Sequence, residues 1–427
     1  MANSFESNFT RMLARVFLEK FESARVLSKN VDTQLLAGKF APNTGDTVDF
    51  KRPTDYVSRR TATGDVSSGA LKSDIITGKA SGVVQDYFTV FVDYDEADEA
   101  IKMDQLDQLL APMATRIVTD MELDFAAFML KNTSLVTGTV GSPILTWDDV
   151  AAAGALMAAA GVPADSMWNY ALNPFTQRTL ASDQRSLGAG GVAGGLIDSA
   201  HKRAIITDNF AGMKVMMATT LSSFTTPATG DTTGAMNGAP DVTYLTAKDT
   251  MTQVLAVTGF GAFSGVIPAG TVLEITGVNR LNLNTRQPII DELGANVIWR
   301  CVVQTDATLA GGAGNITVTG PGIFTTGGQY NTTDVAIGAA NVVTILNADS
   351  TLFQPNVFWH RQAFGIGSVP IKKLHSTDTL ATTEDGMQMR VSKGVGFLEN
   401  NQKVRFDFRP AYAAFNPFFA GQGWGTP

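Results

Sequence analysis

The chain is poor in cysteine, histidine and charge, and it has no long hydrophobic run. One cysteine, Cys301, excludes an intrachain disulfide and every cysteine-based zinc pattern. The three histidines, His201, His360 and His375, lie far apart and lack metal-ligand spacing. No stretch of about 18 apolar residues occurs, so no transmembrane helix is expected. The opening MANSFESNFTRM lacks the basic-then-apolar layout of a secretory leader, and a reducing cytoplasm is the expected compartment. Charged residues make up 17% of the 427 positions, against about 25% in an average globular protein. A surface so poor in charge is read either as that of a Gly/Thr/Ala-rich β protein or as one buried in part by subunit contacts. Acids outnumber bases 40 to 32, for a net charge of −8. That balance argues against a protein that works by neutralising nucleic-acid phosphates.

What is present reads as two or three domains' worth of chain. Residues 4 to 29 have Phe5, Phe9, Leu13, Phe17 and Phe21 at helical spacing, with charge of both signs on the other face. This predicts an amphipathic arm that lies on its own domain or on a neighbour, and Phe5, Phe9, Leu13 and Phe17 are assigned to a neighbour or to a maturation-dependent position. Thr47 to Lys51 and Ser81 to Tyr94 alternate as strands. The polar stretch between them, 54 to 80, has few apolar anchors, which predicts an extended hairpin that orders only against another subunit. Residues 95 to 133 carry an acidic start and an apolar stripe through Leu106, Leu110, Met113, Ile117, Met121, Phe125 and Phe128. Proline is costly inside a helix, so Pro112 predicts a short helix before it and a long one from about 112 to 132.

Residues 143 to 221 alternate helix and strand. Thr146 is placed to cap a helix over Trp147 to Ala160, Trp168 to Leu172 reads as a strand, and Asn173-Pro174 opens a helix to about Leu187. Lys214 to Leu221 is a further strand. From 222 to 352 the chain turns rich in Thr, Gly and Val, with short strands at Val272 to Thr276, Val297 to Gln304 and Ile316 to Thr319. This is the pattern of an all-β barrel or sandwich. Beyond 353, Met387, Met389 and Val391, and then Val404, Phe406 and Phe408, alternate with polar residues as an antiparallel pair would.

No chemistry emerges. The glycines between Gly188 and Gly195 depart from G-x-G-x-x-G at Ala193 and follow a helix rather than a strand. Gly64 to Gly69 has the wrong register for a nucleophile elbow. Cys301 reads as a buried hydrophobe, and the acidic run 93 to 99 as a helix start. Asn132, Asn315 and Asn331 match the glycosylation triplet but have no secretory route. No catalytic, cofactor-binding or metal-binding residue is assigned, no cofactor is expected, and the chain is not expected to be an enzyme.

The order of parts, with Trp168 to Pro174, Pro268 to Ile275 and Asn356 to His360, resembles the major capsid proteins of tailed double-stranded DNA phages. The resemblance is to the Hong Kong 97-type fold, in the podovirus-type subfamily with an inserted β-domain. It implies an α+β fold made of a capsid core, 1–221 and 353–427, and an inserted barrel-like domain, 222–352. Within the core it implies an N-arm (1–44), an E-loop (45–92), a P-domain with a spine helix (95–133) and strands (385–410), and an A-domain (143–221 and 353–380). The implied function is self-assembly, as hexamers and pentamers, into an icosahedral shell enclosing a double-stranded DNA genome without sequence-specific binding. Scaffolding protein and portal are the implied assembly partners, a decoration protein is a further one, and no membrane is involved. The implied location is the virion, assembled in the host cytoplasm. The alternatives are a secreted β-rich surface-layer or adhesin protein, for which no leader is visible, and a two-domain hydrolase, for which no polar constellation is visible. Tyr244 to Gln253 is the expected contact loop of the inserted domain.

Overall fold

The computed structural model describes residues 6–35, 45–69, 72–95, 106–187, 203–204, 206, 209–241, 243–339, 341–374, 378–396 and 401–426. The chain divides into two compact units, each built from separated segments. The first comprises Met1–Asp49, Ser81–Ala126 and Phe364–Ala413, and the second Phe50–Ala80, Ala127–Ala363 and Ala414–Pro427.

In the first unit the arm forms a helix over Glu6–Ala24. Phe17 and Phe21 are buried, packed against Phe406 and Phe408 at centroid distances of 4.9 and 5.3 Å. The arm therefore lies on its own unit at Phe17, correcting the expected assignment of that residue to a neighbour. Phe5, and the side chains of Phe9 and Leu13, fall outside the described residues. The sheet beneath is antiparallel, in the order Thr379–Thr382, Gln388–Gly396, Asn401–Phe408, Phe88–Asp95. Its register sets Met389 opposite Phe408 and Val391 opposite Phe406, so period-2 alternation puts one apolar row on the helix side. The antiparallel pair expected there is present.

The long helix runs unbroken over Leu106–Lys131 with Pro112 inside it, where two helices were expected. Pro112 is exposed and sits in the second turn. There it removes one hydrogen bond near the helix start, and the buried stripe of Met113, Ile117, Met121 and Phe125 begins just beyond it. Packing of that stripe outweighs a loss of about 3 kcal/mol. The expected start of this region, 96 to 105, lies outside the described residues.

A second sheet, mainly of the first unit, orders Thr47–Lys51, Lys79–Val84, Pro410–Ala414 and Phe364–Ser368. Ser81 to Tyr94 is thus two strands in two sheets, broken at residues 85 to 87, where one strand was expected. Leu35 is clasped by this sheet. A Cβ on Gly367 would fall 2.6 Å from the Leu35 Cβ and 2.9 Å from its carbonyl oxygen, so glycine is needed there, and one on Gly82 would press on the Leu35 methyls at 2.5 Å.

The second unit contains a six-stranded mixed sheet, in the order Leu135–Thr137, Ala420–Gly423, Asn356–Trp359, Asn169–Leu172, Met213–Met217, Asn209–Phe210. The helix Trp147–Ala160 packs on it. Thr146 and Asp149 form a capping box at its start, and Gly161 ends it in a left-handed turn at φ 84°. A second helix spans Pro174–Leu187, opened by Pro at its first position. Beside this sheet, strands between Thr233 and Ile345 close into a six-stranded barrel. Leu255 pairs with Ile316 and Leu273 with Cys301, and the inward side chains, Trp299 and Phe260 among them, make a dry core. One short helix, Tyr244–Ala247, interrupts a region in which no helix was expected. Val272 and Val302, on the outside of the barrel, join Val136, Phe353 and Trp424 in an apolar cluster. Barrel and sheet consequently share one compact unit.

Candidate assembly surfaces

The segment joining Thr47–Lys51 to Lys79–Val84 contains neither α-helix nor strand among its described residues. It is nevertheless anchored within the second unit. Arg52, 7% exposed, donates from Nε to the Lys79 carbonyl at 3.1 Å and from Nη1 to the Phe415 carbonyl. Burial lowers its pKa to about 10, against the opposing pull of Tyr244 and Asp249, and it stays charged at neutral pH. Asp55 pairs with Arg286, whose Nη1 also donates to the Asn331 carbonyl at 2.8 Å. Arg59 Nη2 reaches the Gly327 carbonyl at 3.2 Å, and the Tyr330 hydroxyl donates to the Ile76 carbonyl at 3.1 Å. Tyr330 in turn stacks on Tyr244, ring centroids 3.8 Å apart. A Cβ at Gly78 would sit 2.3 Å from the Lys248 carbonyl, so glycine lets the returning chain touch the barrel's flank.

The expectation that 54 to 80, with few apolar anchors, orders only against another subunit is therefore corrected for these contacts. Its anchors are arginines and a tyrosine that reach backbone carbonyls, which no apolar count detects. The same segment still turns Tyr56, Val66 and Ile75 to solvent, Ile75 at 75% exposure. The expected contact loop, Tyr244 to Gln253, is inward at Tyr244, Ala247 and Met251, which pack with Ile323 and Phe418, and exposed at Leu245, Thr246 and Thr250. Leu245 is its exposed apolar residue, at 64%. Phe175, Met217 and Leu352 add exposed apolar surface elsewhere in this unit. Exposed apolar side chains scattered singly are ordinary on a folded surface, and a contiguous patch of them is what marks a contact.

Two buried polar centres fix the first unit. Glu122, on the long helix, accepts from the Leu27 and Ser28 amides at 2.8 and 3.0 Å and from the Ser28 hydroxyl, holding the turn that follows the arm. Asp407 accepts from Thr89 Oγ1 at 2.7 Å, Arg405 Nε at 2.6 Å and Arg390 Nε at 3.1 Å. Both carboxylates meet several donors, as burial requires.

The residues weighed for chemistry have the following surroundings where they are described. His360 is buried, with Nε2 between Asp165 Oδ1 at 2.7 Å and Ser166 Oγ at 3.1 Å. Its Nδ1 faces the Gln362 amide at 3.3 Å. Serine and aspartate share one ring nitrogen, so the ring cannot relay a proton between them as a nucleophilic triad does. The hydrogen bond to His360 holds the Asp165 carboxyl below its usual range. Cys301 lies in the barrel core, where burial pushes its thiol pKa well up. Asn132 and Asn331 are buried. His201, His375 and the glycines from 188 to 195 lie outside the described residues. Among the described residues no group of His, Cys, Asp and Glu could hold a metal ion, and no helix is long and apolar enough to cross a membrane.

The family model described as P22 coat protein, gene protein 5, matches residues 1–425. A curated relative, the major capsid protein of Acyrthosiphon pisum secondary endosymbiont phage 1, is 36% identical over 432 residues and covers 100% of both chains. Similar solved structures include Mycobacterium phage Che8, at 12% identity, TM-score 0.46 and coverage of 93% of this chain and 90% of that one. The capsid of Ralstonia phage GP4 aligns at 7% identity, TM-score 0.43 and coverage of 94% and 90%. The protein is a structural building block of a virus particle. It belongs to the P22 coat protein family, and its function is that of a phage major capsid protein, resident in the virion. The Hong Kong 97-type resemblance read from the sequence agrees with this membership, and the surface-layer or adhesin alternative finds no support.

Proposed function

We propose that this chain assembles as hexamers and pentamers into a closed icosahedral shell, guided by a scaffolding protein and nucleated at a portal ring. The observation that carries this reading is the family match over residues 1–425. The shell encloses double-stranded DNA without gripping it, which suits a wall protein with a net charge of −8. Residues 222–352 act as an inserted domain on a capsid core made of 1–221 and 353–427. The N-arm (1–44) and E-loop (45–92) carry contacts to neighbours. The spine helix region (95–133) with strands 385–410, and the A-domain (143–221 and 353–380), form the body. The chain performs no catalysis and uses no cofactor or metal, and a decoration protein is a further partner on the outer face.

The test is reconstitution of the purified full chain with its scaffolding partner. Size-exclusion chromatography and electron micrographs are expected to give megadalton closed particles. Only monomers or open sheets, across a range of protein and salt concentrations, would defeat the reading.

A further inference from the structure

The second unit holds a cavity of about 340 Å³ that none of the surfaces above uses. Its wall is apolar at Val136 and Leu156 and polar at Arg280, Arg300 and Asn296, with Asp291 also lining it. Arg280 is 5% exposed and has no ion pair among the described residues. Its hydrogen bonds leave from one nitrogen: Nη2 donates to the Ser134 carbonyl at 2.7 Å and to the Arg300 carbonyl at 2.8 Å. Its Nε and Nη1 are not among the sealed, unpartnered atoms of the core, which leaves them as donors for whatever occupies the cavity. Burial lowers the Arg280 pKa to about 10, so the side chain is a cation at neutral pH.

The neighbouring charges are already engaged. Arg300 Nε pairs with Glu274 at 2.8 Å. Asp291 Oδ1 accepts from the Leu293 and Ala295 amides at 3.0 and 2.8 Å. Arg280 is thus the lining cation that makes no ion pair among the described residues. Holding a guanidinium out of water without a counter-charge is expensive, and its planar fork matches a carboxylate. The apolar wall suits a short hydrocarbon chain, and Asp291 on the same wall opposes every anion there, but a dianion about twice as strongly as a monocarboxylate.

We propose that this cavity binds a carboxylate carried on a short apolar chain, held through Arg280. The inference is independent of the shell-building reading. Two sources share the chemistry: a small organic acid, and the terminal carboxylate of a peptide.

The experiment follows methyl signals of Leu156 and Ile298 in full-length protein labelled at Ile, Leu and Val. The probes are butyrate, butyramide, inorganic phosphate, and the dipeptide Ala-Val with its terminus free or amidated. Butyrate is expected to give saturable shifts, and butyramide and phosphate to bind roughly tenfold more weakly or not at all, as loss of a charge-assisted pair implies. Arg280→Lys is expected to weaken butyrate by a similar factor. Because Arg280 is buried, a second variant guards against misfolding: Ala295→Trp, at an exposed lining position, should abolish the shifts with an unchanged melting temperature. A free dipeptide that outbinds its amide supports the peptide source, and a silent dipeptide beside a bound butyrate supports the small acid. Equal binding of butyrate and butyramide overturns the proposal. So does phosphate binding as tight as butyrate, or undiminished butyrate shifts in Ala295→Trp.

Discussion

Phe17 of the arm and Phe406 of the sheet strand stack with ring centroids 4.9 Å apart and planes 21° from parallel. Phe17 is 1% exposed, so the arm is part of its own unit's core. Phe17→Ala is expected to cost about 3–5 kcal/mol in urea unfolding of the unassembled chain. A loss below about 1 kcal/mol, with assembly nonetheless impaired, would return Phe17 to a contact between subunits.

Asp407 is fully buried among Arg390, Arg405 and Thr89. Asp407→Ala strands the buried Arg390 cation and is expected to destabilise by about 3–5 kcal/mol, read by chemical denaturation. The double variant Asp407→Leu with Arg390→Met should recover much of that loss. A double variant as unstable as the single would show that packing, and not charge, sets the cost.

The Asp149 carboxyl feels burial, which pushes its pKa up, but donors from Thr426, Leu145 and Thr146 outweigh that push and hold it below the usual carboxylate range. A depressed folded value stabilises the protein above the unfolded-chain value of about 3.9, and the gain is lost as pH falls through the lower folded value. Asp149→Asn should lower the melting temperature at neutral pH and show a shallower fall on acidification. Parallel melting curves for the two proteins down to about pH 3 would contradict this assignment.

The Asp55–Arg286 pair is partly exposed, with side chains at 41% and 21%, so its removal should change global stability by less than about 1 kcal/mol. Locally the effect is larger. Arg286→Ala is expected to speed amide exchange over residues 54 to 76, and the same variant should slow shell closure in micrographs. Unchanged exchange would mean that Arg59 and Tyr330 hold the segment without it.

Cys301 is expected to resist a disulfide-exchange reagent in the folded protein and to react stoichiometrically once urea unfolds the barrel. Fast reaction under native conditions would show that the barrel core opens readily.

Local signals carried much of this fold. Thr146 with Asp149 announces a helix start, Pro174 opens the next helix, and the alternation at Met389, Val391, Val404 and Phe406 marks a half-buried antiparallel pair. The barrel strands around Leu273, Cys301 and Ile316 were equally plain. The misreadings share a cause. Pro112 breaks a propensity rule that packing of Met113 and Ile117 overrides. Phe17 finds its partner at Phe406, and Arg59 finds a carbonyl at Gly327, across separations that no local pattern encodes. Arg280 looked like any arginine in a β-rich stretch, and only the folded chain removes it from water.

Ala420–Gly423 is an interior strand of the six-stranded sheet, hydrogen-bonded to Asn356–Trp359 on one side and to Leu135–Thr137 on the other. During synthesis these residues leave the ribosome after both strands that they join. Until they leave the exit tunnel, the edges of Leu135–Thr137 and Asn356–Trp359 that they will join are open, and open strand edges invite pairing with other chains. The six-stranded sheet is thereby closed by the strand that is made last among its six, and a chain stalled before Ala420 exposes two edges at once.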